Sequence, residues 1–331
     1  MTIVHVYDEL HASGLVERKR GSGTHVSTHK WGGLSKGVTN WRKYVEGGSF
    51  LPTYPLIRRV REEAKQLENG FDLASGELSA DLFPSRLLQS SFNDQPFPND
   101  LSYEHPQGHL VLRDTVASYV KTHHNINTTS SSVLITSGAQ QALYLITQCL
   151  LSPGDAVAIE SPSYCYSLPL FQSAGLRIFG LPVGAEGVNP DDIEDLYRKH
   201  QIRMIFLNPT YQNPTGTVLT DTRRKKVVEI SEKLGIPIVE DDPFSLLSFE
   251  EKRHSPIKSF DQNGNVLYIG SLSKVIASSL RIGWLIGPQS VISRLADARQ
   301  QMDFGLSIFP QLIANQFLQS TDYTNHRQTL I

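Results

Sequence analysis

Cysteine is almost missing from this chain: Cys149 and Cys165 are the only two in 331 residues, and both lie in segments that read as ordinary folded structure. That argues against a disulfide framework and fits a reducing compartment. An excess of one charge is missing too. The formal net charge is -2, so no overall field holds nucleic acid and any contact with DNA must be local. Long apolar runs do not occur: Leu143–Ile146 and Met204–Leu207 are far shorter than the roughly 20 residues that cross a bilayer. The start, Met-Thr-Ile-Val-His-Val-Tyr-Asp-Glu, lacks the basic flank and cleavage site of a signal peptide. Together these absences predict a cytoplasmic protein with no membrane partner. Neither a solenoid-period repeat nor a low-complexity segment is visible. Gly21-Ser22-Gly23 has no buried strand before it and no third glycine, so it is not a dinucleotide fingerprint. His105 and His109 are separated by Pro106 and Gly108, and without a Cys or carboxylate cluster they give no metal site.

What is present begins with VYDELHASGLVERKRGSGTHV, Val6–Val26. Ile3, Val6, Tyr7 and Leu10 fall at i, i+3, i+4 and i+7, the stripe of an amphipathic helix, and Gly14 stands where a left-handed stop belongs. The β-prone runs Leu15–Glu17 and Thr24–Val26 flank a basic tip, Arg18-Lys19-Arg20-Gly21-Ser22-Gly23, which reads as a hairpin with a longer loop. Such a tip suits a phosphate backbone or a minor groove, although a solvated surface hairpin has the same composition. From there to about Phe50 the chain is rich in Gly, Ser, Thr and Lys, with Trp31 and Trp41 isolated, as in a linker. A charged helix is expected over Leu56–Leu67, then a turn-rich stretch to Leu87.

Beyond it, β-prone runs occur at Val133–Thr136, Ala156–Glu160, Arg177–Val183, Met204–Leu207, Pro237–Val239, Val266–Ile269 and Ile282–Ile286. Helical patterns such as Gln140–Leu150, Pro190–His200 and Thr220–Leu234 separate most of them. Runs that are apolar throughout are what strands buried on both faces look like, so the fold class is α/β with a mostly parallel sheet. In such sheets ligands bind outside the carboxyl ends of the strands. Unusual residues do follow the runs: Ser137-Gly138-Ala139-Gln140, Ser161-Pro162-Ser163-Tyr164, Asn208-Pro209 leading to Asn213-Pro214-Thr215-Gly216, Glu240-Asp241-Asp242, and Ser271-Leu272-Ser273-Lys274.

Each admits a plain explanation. Small residues at 137–140 make a tight strand-to-helix turn; alternatively, the helix start faces an anion. Asp241 caps a helix, or sits in a cleft opposite a cationic ring nitrogen. Lys274, flanked by small residues after a buried strand, is placed unlike the many lysines on solvated helix faces, and a lysine so placed is able to form an imine.

Their order carries more than any one of them. Followed by Arg281, they resemble in sequence order the fold-type I pyridoxal-phosphate aminotransferases, from about Asp72 to the end of the chain. The phrases FDLASGELSADLFP, YEHPQGHLVLRDTVASYV, YQNPTG and SLSKVIASSLRIGW are most similar to the subgroup of α-aminoadipate and kynurenine aminotransferases. VYDELHASGLVERKRGSGTHV resembles the recognition helix and wing of MocR-like regulators, in which a GntR-type winged helix is fused to that domain. The resemblance implies the cofactor pyridoxal 5'-phosphate, with Lys274 forming the internal aldimine, Asp241 binding the pyridinium nitrogen, Tyr164 stacking on the ring and Asn213 bonding the ring oxygen. It implies a phosphate held by the backbone of Gly138, Ala139 and Gln140, the Gln140 side chain, Ser271, Ser273 and Arg281. A homodimer is implied as well, with Tyr103 given to the neighbouring subunit's cofactor, and DNA contacts by Arg18, Lys19 and Arg20.

Three departures qualify it. Phe244 stands where the family usually has a tyrosine three residues after the pyridine-binding acid. No residue matches the arginine for the substrate carboxylate, which lies in the carboxy-terminal part of the family's small domain. The chain also begins within the expected recognition helix, so DNA binding is expected only where two preceding helices are present. The expected division is therefore a partial winged helix at 1–27, a linker at 28–55, a large cofactor domain at 56–290 and the start of an incomplete small domain at 291–331. Helix-like sequence from Ile292 to Leu318 is expected to expose an apolar face. The leading expectation is a MocR-like regulator that senses an amino acid or amine by aldimine exchange. Others are a plain aminotransferase acting on an amino acid and a 2-oxo acid, and an interaction remnant binding neither cofactor nor DNA.

Overall fold

The computed structural model describes residues 3–27, 39, 41–48, 55–64, 76–93, 101–248 and 254–331. The chain divides into two compact units, Met1–Ser49 and Phe50–Ile331. Trp31, the Gly32-Gly33 pair and the end of the helix expected over Leu56–Leu67 lie outside the described residues.

In the first unit, helix α1 (Ile3–Ala12) ends as its sequence requires. Gly14 has φ +67, and the Leu15 and Gly14 amides donate to Leu10 and His11 carbonyls, each at 2.9 Å. These two bonds are the Schellman closure, which needs a residue comfortable in the left-handed region. Strands β1 (Val16–Lys19) and β2 (Gly23–Val26) pair antiparallel from Val16↔Val26 to Lys19↔Gly23. The pairing thus runs further than expected: Arg18 and Lys19 are on the strand, and the tip is Arg20-Gly21-Ser22. Arg18 is also not a bare tip cation, because its guanidinium pairs with Asp8. Ile3 and Val4 are exposed, and none of α1 is buried. A short helix, α2 (Trp41–Gly47), interrupts the stretch expected to be linker.

The second unit begins with α3 (Pro55–Ala64), α4 (Ser85–Asn93) and α5 (Leu110–His124). It continues with β3 (Val133–Thr136), α6 (Ala139–Cys149), β4 (Ala156–Ser161), α7 (Leu170–Ser173), β5 (Arg177–Gly184), β6 (Gly187–Val188), α8 (Asp191–His200) and β7 (Met204–Leu207). Then come α9 (Asp221–Leu234), β8 (Ile238–Asp242), β9 (Val266–Ser271), β10 (Gly283–Ile286), α10 (Gln289–Asp303), α11 (Ile308–Gln319) and α12 (Thr321–Leu330). The sheet has eight strands in the order β3-β10-β9-β8-β7-β4-β5-β6. Neighbours from β9 to β5 are parallel. Strand β10 runs antiparallel to both β3 and β9, and the short β6 to β5.

The uniform apolarity of these strands follows from cover on both faces. Leu134, Val157, Ile159, Met204, Phe206, Val239 and Leu285 pack with α6 and α10 on one face. Their alternate neighbours Val133, Ile135, Trp284 and Ile286 pack with α5, α11 and α12 on the other, and Ala158, Ile205 and Ile238 with α8 and α9. Period-two alternation of the side chains makes this division automatic.

The segment Ile292–Leu318 departs from expectation. It is two helices, broken at Phe304 (φ +58) and Gly305 (φ +116). Part of its apolar surface is covered, since Ile292 and Leu295 lie in the α6 layer and Ala314, Phe317 and Leu318 pack with α5 residues, while Met302, Phe304 and Phe309 are exposed. Among the described residues, no helix is long and apolar enough to cross a membrane.

Candidate cofactor site at the strand ends

Strand β8 carries three consecutive acids, and its pleat sends Glu240 and Asp242 to one face and Asp241 to the other. Glu240 accepts from the Ile257 and Lys258 amides at 2.7 and 2.8 Å and lies 3.8 Å from the Arg224 guanidinium. Asp242 accepts from the Ser245 hydroxyl at 2.6 Å and the Tyr268 hydroxyl at 2.9 Å. Both are engaged in holding the fold. Asp241 is 7% exposed, and among the described residues its carboxylate receives one hydrogen bond, from the Tyr164 hydroxyl. Burial pushes the Asp241 carboxyl up to about 6, Asp242 adds to the rise and the Tyr164 bond opposes it. The Tyr164 phenol is driven well above its usual range, mainly by burial, and so stays a donor. A buried carboxylate with one modest neutral partner is a site made for a cation.

The sheet order turns the separate residues into a row. From β3 through β10, β9, β8 and β7 to β4, the strand ends carry Gly138, Arg281, Lys274, Asp241, Asn213 and Tyr164. Arg281 joins the row because β10 is reversed, which puts its amino end beside the carboxyl ends of its neighbours. Thr136, Gly283 and Ser271 stand in register across β3, β10 and β9. The contact is close, since a Cβ on Gly283 would come within 2.9 Å of the Gly138 carbonyl carbon. At the far end, the Tyr164 amide donates to the Asn213 carbonyl at 3.0 Å.

The row has an anion end. Helix α6 starts after Gly138 with no side-chain cap, which leaves first-turn N–H groups to an anion and the helix dipole. Arg281 Nη2 donates to the Ser137 carbonyl at 2.8 Å, laying the guanidinium over Gly138. Gly138 has φ +76, and a Cβ there would meet Arg281 Nη2 at 2.8 Å. The Ser271 and Ser273 hydroxyls are 3.1 Å apart. Gly138→Ala is therefore expected to cost about 1–2 kcal/mol, chiefly through the left-handed backbone, and to displace Arg281. Thermal denaturation checks the first effect, and titration with inorganic phosphate the second.

Lys274 leaves the turn after β9 half-buried, and its Nζ donates to the Gly76 carbonyl at 2.6 Å. Nearby, the Ser278 hydroxyl donates to Glu77. Gly76 and Glu77 were not among the residues expected here, although they stand inside FDLASGELSADLFP; their partners lie about 200 positions away, beyond any local pattern. Tyr164's hydroxyl contact with Asp241 is likewise additional to the stacking role the resemblance implies. Gln140 is exposed at the start of α6. Tyr103 is not brought to the row: it is 83% exposed, and its ring packs 5.4 Å from that of Phe304. Arg18, Lys19 and Arg20 belong to the other unit. Among the described residues no cluster of metal-ligating side chains occurs.

The donor set of this row matches pyridoxal phosphate: an anion cradle at one end, a lysine amine in the middle, and a buried carboxylate beside an aromatic ring and an amide at the other. Comparison with known proteins agrees. Residues 68–330 match the aminotransferase class I and II family. The chain is 39% identical over 330 residues to a Bacillus subtilis protein named as the uncharacterized HTH-type transcriptional regulator YdfD, covering 98% of this chain and 67% of that one. It is 31% identical to the HTH-type transcriptional regulator NorG of Staphylococcus aureus, covering 98% and 73%. Among solved structures, the kynurenine aminotransferase of Pyrococcus horikoshii superposes with a TM-score of 0.79 at 26% identity, over 90% of this chain and 74% of that one. The α-aminoadipate aminotransferase of Thermus thermophilus does so with a TM-score of 0.76 at 26% identity, over 88% and 73%. The chain belongs to the aminotransferase class I and II family, with its fold-type I α/β architecture and its cofactor, pyridoxal phosphate.

Proposed function

We propose that this chain is a pyridoxal-phosphate-binding, aminotransferase-like transcriptional regulator of the MocR type, which senses an amino acid or amine at Lys274. The observation that carries the reading is the row from Gly138 to Tyr164 in a chain whose relatives, matched over 98% of its length, are named transcriptional regulators. When bound, pyridoxal phosphate supplies an electrophilic carbon for primary amines and an electron-withdrawing ring. The Lys274 amine, which donates to the Gly76 carbonyl, would hold the cofactor covalently. Asp241 would face the ring nitrogen and hold a proton there, Tyr164 would cover the ring and Asn213 would bond its oxygen. Ser271, Ser273, Arg281 and the start of α6, with Gly138, Ala139 and Gln140, hold the phosphate. Phe244, half-buried at the turn after β8, has no hydroxyl to offer, so one bond of about 1 kcal/mol is missing on the ring-oxygen side.

The same reading assigns residues 3–27 to DNA, with Lys19 and Arg20 on phosphates and Arg18 shared with Asp8. It makes the protein a cytoplasmic homodimer in which Tyr103, exposed on its own subunit, serves the neighbouring site. A second reading, catalysis of transamination, is favoured by the 26% identity to solved aminotransferases.

Two measurements test the choice. Amino acids and amines are titrated against the visible absorbance of the loaded protein, with and without a 2-oxo acid. A saturable spectral change without turnover supports sensing, sustained turnover makes the chain an enzyme, and no response to any amine defeats both. Binding to duplex DNA is followed against salt, where Arg20→Ala is expected to lower the log–log slope by about one. An unchanged slope removes Arg20 from the DNA surface.

A further inference from the structure

Three residues expected around the cofactor ring come from three separate strand ends, and one buried side chain joins two of them, the second of which holds the third through its backbone. Asn208, 2% exposed just beyond β7, donates through Nδ2 to the Asp241 carbonyl at 2.9 Å. Its Oδ1 accepts from the Asn213 amide at 2.8 Å. The Asn213 carbonyl in turn accepts from the Tyr164 amide at 3.0 Å. Asn208 is itself anchored, because its own amide donates to Glu160 Oε2 at 2.8 Å. Glu160, 3% exposed at the end of β4, is also approached by Gln212 Nε2, which donates to the Pro162 carbonyl at 2.8 Å.

We propose that Asn208 is a positioning residue for the cofactor ring: its amide spans the Asp241 strand and the Asn213 loop, and Glu160 fixes the span. An asparagine suits the task because it offers a donor and an acceptor on opposite sides of one planar group. The Asn208 bonds to the Asp241 carbonyl and to Glu160 are buried and its bond from the Asn213 amide is part-buried, so water replaces a lost bond on the Asp241 side only at a cost. Asn208 touches no ring atom; it acts by setting where Asp241 and Asn213 stand relative to one another, and sites of this kind lose function when supporting contacts loosen by fractions of an ångström. The inference rests on the site reading given above.

The test titrates pyridoxal phosphate into the full chain. Asn208→Ala is expected to weaken binding about tenfold, the scale of one lost buried hydrogen bond, and to shift the pH midpoint of the visible band. The control is Ser231→Ala, which removes a buried hydroxyl bond to the Ile236 carbonyl away from the row; it should lower the melting temperature of cofactor-free protein without moving affinity or pH midpoint. If Asn208→Ala does not fold, Asn208→Ser decides, since it keeps a polar atom but cannot span both partners. Asn208 variants that match the unsubstituted protein in affinity and pH profile overturn the proposal while leaving the site intact. Failure of the unsubstituted protein to hold pyridoxal phosphate at Lys274 overturns the site reading and this inference with it.

Discussion

Lys274→Ala is expected to abolish the visible absorbance of protein loaded with pyridoxal phosphate and to leave nothing for borohydride to trap. The reason is positional. Lys274 stands between the anion cradle and Asp241 in the row of strand ends, with its Nζ presented at the Gly76 carbonyl, which is where the proposed function needs a primary amine. The fold should survive, because the side chain is half-buried and among the described residues makes that one hydrogen bond; the loss is about 1 kcal/mol or less. The cradle at Gly138, Ser271 and Arg281 remains, so weak non-covalent binding persists. Absorbance after exhaustive dialysis, read beside thermal denaturation, separates these effects. A visible band that survives in Lys274→Ala would remove the lysine from its assigned place.

Asp241→Asn is expected to act in opposite directions on binding and on stability. The carboxyl is pushed up to about 6 from 3.8, so between those values the folded chain holds a proton that the unfolded chain has released. Its contribution to stability is complete below about 4 and is lost as pH rises through 6, leaving a penalty on the order of 3 kcal/mol at neutral pH in cofactor-free protein. Asparagine removes the ionisation and still accepts from the Tyr164 hydroxyl. Cofactor-free Asp241→Asn should therefore melt higher than the unsubstituted chain at pH 7.5, with the advantage shrinking through pH 6 and gone near pH 4. Its affinity for pyridoxal phosphate should fall by about a hundredfold or more, because the ring cation loses its buried counter-charge. Melting curves across that range and a binding isotherm at pH 7.5 check both arms. An aspartate that is better than asparagine for the stability of cofactor-free protein would contradict the environment described for it.

Much of the fold was legible because the central strands of the large sheet contain continuous apolar runs, and that pattern has one common cause, cover on both faces. The boundaries were less so. Strands β8 and β9 run on through Asp242 and Ser271, since hydrogen bonding to neighbours continues after the apolar residues stop. The break has Gly305 at it, but its left-handed helix cap is Phe304, a residue type that does not announce that conformation, and the cover of α11 by α5 depends on residues some 200 positions apart.

In the site, Lys274, Asp241 and Gly138 stood out because strand ends concentrate chemistry. That Asp241, and not Glu240 or Asp242, is the acid left for the proposed cofactor side follows from alternation along β8 only after Arg224, Ser245 and Tyr268 are seen to occupy the other two. Gly76 and Asn208 were out of reach for the same reason, because their parts are defined by partners brought together in folding. In the hairpin, the apolar and basic residues were visible, but the register that puts Arg18 and Lys19 on the strand was not, since the short runs leave it to the turn.

The central claim is that this chain holds pyridoxal phosphate covalently at one lysine at the end of β9. The most direct measurement is peptide mapping by mass spectrometry after borohydride reduction of the loaded protein. The account predicts a single pyridoxyl group on the peptide containing Lys274, lost when an amino compound is added before reduction. Modification of other lysines in preference to Lys274, or none that survives dialysis, would contradict it.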